Sequence, residues 1–429
     1  MAALKNLLLR LFVCIPAIFC ACDVHAVGHT IILTNESSVA LKDKAVTIKR
    51  NDLPTFPAGN NYPVIVNQSG DTVAVQLDDI DGDHIWDELF FVADLPASKA
   101  VTFKLSWSKT QLAHTKRTSI RFGVRRSFNE RVEPATADTF YPNQLPAVMG
   151  YQRYQTDGPT WENDKVGFRQ YLDGRNSMDV FGKKTPAITP ENVGINQAGV
   201  TEPDYSNMQD WGTDILHVGN SVGLGGVSLL IGDSLARLGI TEQDSLNNVD
   251  STFFHIVTEG PVRSVMRFNY RGWKPLHRNY DVEQTTSILP GMYAYKNEIL
   301  FDKLNGDEVL AVGLVNSRTD KKLTELTIGD KWVVLLTHDK QSVNKEWWLG
   351  MAIILPKENY LGFIEAPKTG NVSNTYLGKL KLEINKPISY FAVACWELSD
   401  PGFRDPAYFK NYVTGLVNQL SASVTIKIN

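Results

Sequence analysis

The chain has 429 residues, of which 43% are hydrophobic, and its 43 Lys and Arg against 47 Asp and Glu give a net charge of −4. With no long basic run, this balance argues against a nucleic-acid partner. The length allows a core large enough to hold the fold without disulfides. Nine Trp and fifteen Tyr residues are typical of a β-rich core, and sugar-ring stacking is a second interpretation of some of them.

The first 26 residues predict a secretory signal peptide. A positively charged start is followed by an apolar run, Leu11–Ala21, that is too short to span a bilayer, and a small-x-small motif predicts cleavage after Ala26. A lipoprotein signal with Cys22 lipidated is the competing interpretation. No later segment of the sequence has the length and apolarity of a transmembrane helix. We therefore expect a periplasmic or secreted protein, with tethering through Cys22 as the alternative.

Cysteine usage agrees with a fold that does not depend on disulfides. Three of the four cysteines lie in the predicted signal, which leaves only Cys395 in the mature chain. Cys395 lies in the apolar run Tyr390–Trp396. This setting predicts a buried small residue rather than a nucleophile.

The residues after the signal predict a small β-sandwich-like domain, residues 27–115, made of short strands. The motif Asn67–Asp71 predicts a hairpin turn between two of them. The polar segment Gln111–Arg117 is the predicted domain boundary. The predicted strands are His29–Leu33, Val39–Lys49, Pro63–Asn67, Val73–Leu77, Glu88–Ala93 and Ala100–Trp107.

An acidic loop lies within this domain, with Asp79, Asp81 and Asp83 at alternate positions and Asp87 four residues later. Oxygen ligands spaced in this way suit Ca²⁺, and the Ile85 carbonyl is a further candidate ligand. The register differs from that of an EF-hand and is similar to the calcium loops of integrin-type β-propeller repeats. The alternative is an acidic turn whose carboxylates cap their own backbone. A bound Ca²⁺ is expected to be structural.

The segment Trp161–Lys184 carries the densest group of candidate site residues. Over residues 167–175 the side chains alternate as they do in a strand, where successive residues point to opposite faces. Two guanidinium groups, a phenol and a carboxylate in one row suit an anionic, hydroxyl-rich ligand. A solvated strand face is the alternative. The residues predicted to share this face are Arg169, Tyr171, Asp173 and Arg175.

A long loop, Thr185–Met208, follows this segment, and loops of that length are usually functional or mobile. It leads into Asp210–His217, which contains two carboxylates, an indole and an imidazole. The glycine-rich residues Gly219–Gly226 are not followed by Lys-Ser/Thr. This excludes a phosphate-binding P-loop.

The remainder of the chain predicts many strands and one helix, and hence a large antiparallel β-sandwich domain over residues 116–429. Asp-Pro pairs at residues 400 and 405 begin the helix candidate Arg404–Leu420. The predicted strands are Pro261–Gly272, Tyr280–Leu289, Tyr293–Phe301, Val309–Asn316, Lys331–Thr337, Glu346–Leu355, Tyr360–Glu365, Leu377–Ile384, Ile388–Trp396 and Ser423–Ile428.

Three sequence blocks point to a known family. They are Gln76–Asp83 with Trp86–Phe91, Trp161–Asn176 with Asp179–Lys184, and Asp210–Asp214 with the glycines after it. With them, the mature chain resembles, nearly end to end, an exported Bacteroidetes family catalogued as domain of unknown function 4861. The resemblance implies a galactose-mutarotase-like β-sandwich, found beside polysaccharide-degrading enzymes, with uronic-acid oligosaccharides as the expected ligand. The chain departs from the family pattern at Tyr205-Ser206, where a Tyr-His pair is expected.

The resemblance and the residues together predict β-elimination at a uronic acid residue, by a lyase or an oligosaccharide dehydratase. The reaction needs a cation that neutralises the carboxylate, a base for the α proton, and an acid for the leaving oxygen. Arg169 and Arg175 are expected to hold the carboxylate and Tyr171 to transfer the proton, with His217 as a second base. Trp211 is expected to stack on the sugar ring. The residues predicted to bind the substrate are Trp161, Asn163, Asp173, Lys183, Lys184, Asp210, Trp211 and Asp214.

Two other interpretations stay open at this point. A glycan-binding or accessory protein would use the same side chains without turnover, and a mutarotase-like protein lies between the two classes. Position 206 holds a serine where the family pattern predicts a histidine, and this favours the two interpretations without elimination. A hydrolase that uses Asp210 and Asp214 as paired carboxylates is a further hypothesis.

Overall fold

The computed structural model describes residues 24–144, 152–239 and 249–429. Most of the predicted signal peptide, including Cys22, lies outside these residues. Within the described ranges the chain is mainly β, and the named strands pair antiparallel, which confirms the predicted fold class. No helix in these ranges has the length and apolarity needed to cross a membrane.

The strands are numbered in chain order. The first eleven are β1 (Val24–Asn35), β2 (Leu41–Lys49), β3 (Tyr62–Val66), β4 (Thr72–Val73), β5 (Val75–Asp78), β6 (Glu88–Leu95), β7 (Ala100–Ser108), β8 (Thr118–Arg121), β9 (Gly123–Val124), β10 (Glu133–Pro134) and β11 (Ala137–Phe140). The next nine are β12 (Thr160–Asn163), β13 (Val166–Gln170), β14 (Met178–Lys183), β15 (Gly212–Asp214), β16 (Leu224–Ile231), β17 (Ser234–Arg237), β18 (Ser251–Glu259), β19 (Ser264–Trp273) and β20 (Tyr280–Ile288). The remaining elements are β21 (Ala294–Phe301), β22 (Glu308–Val315), β23 (Thr324–Ile328), β24 (Trp332–Asp339), β25 (Leu349–Pro356), β26 (Tyr360–Glu365), β27 (Thr375–Lys381), β28 (Ile388–Trp396), α1 (Pro406–Ser421) and β29 (Val424–Ile428).

The N-terminal strands form a small sandwich together with the last strand of the chain. Its two sheets have the orders β29-β1-β7-β3-β4 and β2-β6-β5, and Phe91 and Trp107 belong to its buried core. β29 pairs antiparallel with β1, with Ile31 opposite Ile428. The sequence assigned residues 424–428 to the second domain, whereas the structure joins them to the first. Such a long-range pairing depends on the whole fold and leaves no local signal.

The second sandwich packs one nine-stranded sheet against two five-stranded sheets. The large sheet has the order β11-β18-β19-β20-β21-β28-β25-β24-β23, and the smaller sheets are β15-β14-β13-β12-β8 and β17-β16-β22-β27-β26. Trp161 of β12 and Phe168 of β13 contact Tyr295 of β21, with ring centroids 5.2 and 4.6 Å apart. Cys395 in β28 is buried, as predicted. One continuous hydrophobic core therefore lies between the sheets.

Two locally encoded elements are confirmed. The Asn67 side chain closes the predicted hairpin turn by accepting hydrogen bonds from the N–H groups of Ser69 and Asp71, each at 2.9 Å. The predicted helix Arg404–Leu420 is α1, and the Asp405 carboxylate caps it by accepting from the backbone N–H of Ala407 at 2.8 Å. Both signals are short-range, which explains why the sequence alone carries them.

The predicted strand over residues 167–175 is wrong in its second half. β13 ends at Gln170, and a turn leads from Tyr171 into β14. Asp173 accepts a hydrogen bond from the backbone N–H of Arg175 at 3.0 Å, and Gly174 has a φ of 96°. The side chain of the aspartate and the left-handed glycine reverse the chain. The alternating sequence in this part therefore belongs to a turn rather than a strand.

Candidate functional site

Three neighbouring strands position the first group of polar side chains. In the pairing of β13 with β14, Arg169 lies opposite Asp179, and in the pairing of β14 with β15, Phe181 lies opposite Asp214. Alternate residues of a strand share a face, so Asp179 and Phe181 point the same way. Phe168 points to the other side and joins the main core. The strand register therefore brings the guanidinium and the two carboxylates together.

Arg169 is the centre of a buried ion-pair cluster and is 1% exposed. Its Nη2 donates to the carboxylate of Asp179 and to Oδ2 of Asp214, the latter at 2.7 Å. Its Nη1 lies 3.7 Å from Oδ2 of Asp157. Because three carboxylates already surround this guanidinium, it has no surface left for the substrate carboxylate that the sequence assigned to it.

The excess of carboxylates changes their protonation. Burial and, second to it, the negative charge of Asp179 raise the pKa of Asp214 to about 7, against the opposing effect of Arg169. Burial also raises the pKa of Asp157. One guanidinium offsets the charge of a single carboxylate, so the cluster retains a proton near neutral pH. A carboxyl group in this state can act as a proton donor.

Arg175 lies against the same tyrosine as Arg169. Its Cζ is 4.4 Å from the ring centroid of Tyr171, and that of Arg169 is 4.1 Å away. Asp173 Oδ2 accepts from Nε and Nη2 of Arg175 at 2.8 and 2.6 Å, and the Gly219 carbonyl accepts from its Nη1 at 3.1 Å. The four side chains that the sequence placed on one strand face do lie together, but they surround a turn. Both arginines are already paired with carboxylates of this chain.

The phenol of Tyr171 is partly exposed beside these arginines. Its hydroxyl accepts a hydrogen bond from Nη2 of Arg169 at 2.5 Å. Burial raises the pKa of Tyr171 well above its usual value, and the positive charges of Arg169 and Arg175 oppose the shift only in part. The phenol is therefore protonated at neutral pH and is suited to donating a proton rather than removing one.

An imidazole and an unpaired guanidinium lie next to this group. Burial and the positive charge of Arg318 lower the pKa of His217, so its imidazole is neutral at pH 7. Its Nδ1 is 3.4 Å from Oγ of Ser317. Arg318 is partly buried, its Nε is inaccessible to solvent, and it forms no hydrogen bond or ion pair with any residue that the structure describes. Arg175 links His217 to Tyr171: its guanidinium stacks on the Tyr171 ring, and its Nη1 donates to the carbonyl of Gly219, two residues after His217.

Three predicted substrate-binding residues serve the packing of the sheet instead. Trp161 is 1% exposed within the core. The amide of Asn163 donates to two backbone carbonyls of the 289–292 loop at 2.6 and 2.7 Å. The Nζ of Lys183 is bonded to the Glu162 carboxylate at 2.5 Å. Because these contacts bury all three side chains, they leave no surface for a sugar, and the roles predicted for them do not fit the structure.

The remaining predicted binding residues divide between the interior and the surface. Trp211 is 8% exposed and packs edge-on against Phe181 with ring centroids 5.9 Å apart, so the buried ring leaves little surface for the predicted stacking on a sugar. Asp210 is exposed, and Lys184 is exposed with its Nζ donating to the carbonyl of Gln209 at 3.1 Å. These two side chains are accessible but are not part of the Arg169 cluster.

Several residues of the site were not singled out from the sequence. Tyr205 donates its hydroxyl proton to Oδ2 of Asp157 at 2.8 Å, and its ring centroid is 5.1 Å from Cζ of Arg169. Asp179 lies in the predicted segment, but its role depends on the strand register. Asp157 ends a short 3₁₀ helix, Gln155–Asp157, and Arg318 lies in the loop after β22. Neither belongs to a recognisable motif, so no local signal identifies them.

A sequence model of the family described as Domain of unknown function (DUF4861) matches residues 33–426. The chain belongs to the DUF4861 family. The resemblance drawn from the three sequence blocks is thereby confirmed. At the position where that pattern led us to expect a histidine, this DUF4861 protein exposes Ser206, beside the buried Tyr205.

Individual proteins similar to this DUF4861 chain are distant. "Uncharacterized protein P7" of Formosa agariphila is 25% identical over 307 residues, which cover 66% of this chain and 70% of the relative. An alpha-mannosidase from Enterococcus faecalis V583 gives a TM-score of 0.46 at 11% identity, covering 93% of this chain and 46% of that one. A glycosyl hydrolase family 38 protein from Enterococcus faecalis gives 0.47 at 10% identity, covering 93% and 47%. The chain spans about half the length of these two solved proteins.

The acidic loop of the small sandwich is separate from this site. Carboxylate oxygens of Asp79, Asp81 and Asp87 lie within 4.8 Å of one another, and Asp83 is not part of that group. Such a donor set suits Ca²⁺. The same carboxylates also cap the loop: Asp79 accepts from the backbone N–H groups of Gly82 and His84 at 2.7 and 2.8 Å. Both interpretations of this loop therefore have a structural basis, and calcium binding stays a prediction.

Proposed function

We propose that this protein is exported and catalyses β-elimination at a uronic acid residue of an oligosaccharide from polysaccharide breakdown. The observation that carries the proposal is the guanidinium of Arg318, which is partly buried beside His217 without a carboxylate partner in the described chain. A buried cation without a counter-ion is destabilised, and a bound carboxylate removes that cost. Arg318 thus takes the role that the sequence gave to Arg169 and Arg175.

The protonation states assign the acid and the base. The neutral imidazole of His217 removes the proton on the carbon next to the carboxylate, and the electrons of that C–H bond form the new C=C bond. The bond from the neighbouring carbon to its oxygen breaks, and the phenol of Tyr171 gives that oxygen its proton. Arg318 stabilises the negative charge that develops on the carboxylate. The chemistry is the same for a lyase, which expels a sugar, and for a dehydratase, which expels a hydroxyl group.

The buried cluster holds the proton donor in place. Because the Tyr171 hydroxyl accepts from Arg169, its own proton points away from that arginine and is available to a substrate. Arg169 is fixed in turn by Asp179 and Asp214. The stacked guanidinium of Arg175 covers the Tyr171 ring. In this proposal the two arginines that the sequence assigned to the substrate are positioning residues.

The test is an elimination assay on the purified full-length protein. Oligogalacturonate, oligomannuronate and glucuronate-bearing oligosaccharides are incubated with it, and the short-wavelength ultraviolet absorbance of the C=C bond conjugated with the carboxylate is followed. We expect product with at least one of them and a loss of about 100-fold or more in rate in His217→Ala. His277→Ala, which changes an exposed histidine, is the matched control and should keep full activity. Full activity in His217→Ala contradicts the assignment.

A second candidate function is glycan binding without turnover. The exposed Ser206, at the position where an imidazole was expected, favours it. In that case the acidic or neutral oligosaccharides bind in calorimetry, but none of them yields an unsaturated product. The same panel of substrates therefore separates the two candidates.

A further inference from the structure

A cavity of about 700 Å³ lies between the small sandwich and the second one. It shares no lining residue with the proposed elimination site, which contains Tyr171, His217 and Arg318. We propose that this cavity is a second binding site, for an uncharged oligosaccharide. Its wall combines residues 59–63 and 75–78 of the small sandwich, the connecting residues 111–116, and residues 258–261 at the end of β18. The proposal rests on the side chains that face one another there.

Asn61 supplies the first observation, since it is 8% exposed and lines the cavity. Its Nδ2 donates to the carbonyls of Ala58 and Gly59 at 2.9 and 3.3 Å. Because both partners are acceptors, the amide orientation is fixed, and Oδ1 must face the other way. Oδ1 is buried and accepts no hydrogen bond from the described residues. Because this oxygen has almost no accessible surface, a ligand hydroxyl in the cavity can donate to it only where the Asn61 side chain shifts toward the cavity.

Other groups on the wall are equally uncommitted. Tyr62 and His114 are partly buried, and neither side chain hydrogen-bonds within the part of the chain that the structure describes. Burial lowers the pKa of His114, so the imidazole is neutral at pH 7. The indole of Trp86 lines the same space and is held by Phe56, edge-on at 5.3 Å. The Arg50 guanidinium lies over the Trp86 ring, with its Cζ 5.1 Å from the centroid. The rest of the indole, the phenol and the imidazole together offer apolar surface and hydroxyl partners, as sugar rings require.

The charges on the wall favour a ligand without charge. The Nζ of Lys116 is paired with Oε1 of Glu259 at 2.9 Å. The carboxylate of Asp78 is paired with Arg263 and accepts from Oγ1 of Thr258 at 2.6 Å. Each charged group is thus offset by a neighbour. This differs from the site at Arg318, where the guanidinium has no counter-ion among the described residues, so the two sites are expected to bind different parts of a polysaccharide.

The test is titration calorimetry of the full-length protein with neutral hexasaccharides of glucose, mannose and xylose, and with hexagalacturonate as the charged comparison. We expect at least one neutral hexasaccharide to bind. Tyr62→Phe and His114→Ala, which each remove one hydrogen-bonding group, should weaken that binding about 3- to 10-fold. His277→Ala serves as the matched surface control. Arg318→Ala should leave the neutral affinity unchanged, which separates this site from the proposed elimination site.

Three outcomes overturn the proposal. The first is that none of the neutral hexasaccharides binds at millimolar concentration. The second is that binding occurs with unchanged affinity in both Tyr62→Phe and His114→Ala. The third is that only the charged oligosaccharide binds and that Arg318→Ala abolishes this binding. The thermal unfolding temperature of each variant, compared with that of the wild type, shows that a loss of affinity is not a loss of folding.

Discussion

At the scale of single residues, the proposed site depends on two imbalances of charge at buried and partly buried side chains. Arg169 contacts Asp179 and Asp214 and has Asp157 nearby, so its cluster contains more carboxylates than it can offset. Arg318 has the opposite imbalance, because it is a cation without a carboxylate in the described chain. The carboxylates around Arg169 therefore retain a proton, and the guanidinium of Arg318 attracts an anion. The proposed chemistry follows from these two imbalances.

The raised pKa of Asp214 predicts how stability depends on pH. Its carboxyl binds a proton more tightly in the folded state, with a pKa of about 7 against an ordinary value of 3.8. The free energy of unfolding should therefore fall as the pH rises between these two values, by on the order of 4 kcal/mol. Asp214→Asn should flatten this dependence, as measured by urea unfolding at a series of pH values.

The control for that measurement is Asp233→Asn, which changes an exposed aspartate in the turn after β16. Its pH dependence should match that of the wild type. A wild-type stability that rises with pH through this interval, or an unchanged slope in Asp214→Asn, would show that this carboxyl does not hold the proton.

At the scale of secondary-structure elements, close backbone approaches fix the position of the site. Gly223 has a φ of 79°, and a Cβ there would lie 1.7 Å from the carbonyl oxygen of Met178 in β14. This approach joins the start of β16 to the strand that carries Asp179. The segment that contains His217 is thereby fixed against the strands of the Arg169 cluster.

A pair of glycine substitutions tests this approach. Gly232 also has a positive φ, 57°, but a Cβ there meets nothing within 4 Å. Gly232→Ala should lower the free energy of unfolding by about 1 to 2 kcal/mol, which is the cost of the left-handed backbone alone. Gly223→Ala should cost about 1 to 3 kcal/mol more, because the backbone must also move. Equal losses in urea unfolding would mean that the two strands do not need this contact.

The elements also show what the sequence could and could not predict. α1 could be predicted, because an Asp-Pro pair caps a helix through contacts within a few residues. The strand proposed over residues 167–175 could not be corrected from the sequence, because alternation of side-chain type is compatible with the turn that Asp173 and Gly174 form. The ion pair of Arg169 with Asp179 depends on strand register, which the order of residues within β13 and β14 does not specify.

At the scale of the whole molecule, the first and last strands that the structure describes pair in the small sandwich. β29 follows α1 and pairs with β1, with Leu33 opposite Ile426. The predicted β class followed from composition and turn signals, whereas this pairing and the approach of Arg318 to His217 depend on the complete fold. For the same reason, the sequence could not show that Arg169 and Arg175 are paired within Trp161–Lys184 and its neighbours, or that Arg318 lies near His217.

Removal of residues 424–429 tests the role of the last strand. Without β29, β1 becomes an edge strand with unpaired N–H and C=O groups, so we expect lower thermal stability and concentration-dependent association. Light scattering and thermal unfolding measure both effects. Lys427→Ala, which changes one exposed side chain of β29, should leave both properties unchanged. A truncated protein that is monomeric and as stable as the wild type would contradict this role.

The central claim is that Arg318 holds the carboxylate of the reacting sugar. The most direct measurement compares kcat/KM for a uronate oligosaccharide and for its methyl ester, with wild type and with Arg318→Ala. We predict a loss of about 100-fold or more on the free carboxylate in the variant and little further loss on the ester, because the ester carries no charge for Arg318 to offset. Equal losses on the two substrates, or full activity of Arg318→Ala on the free carboxylate, would contradict the claim.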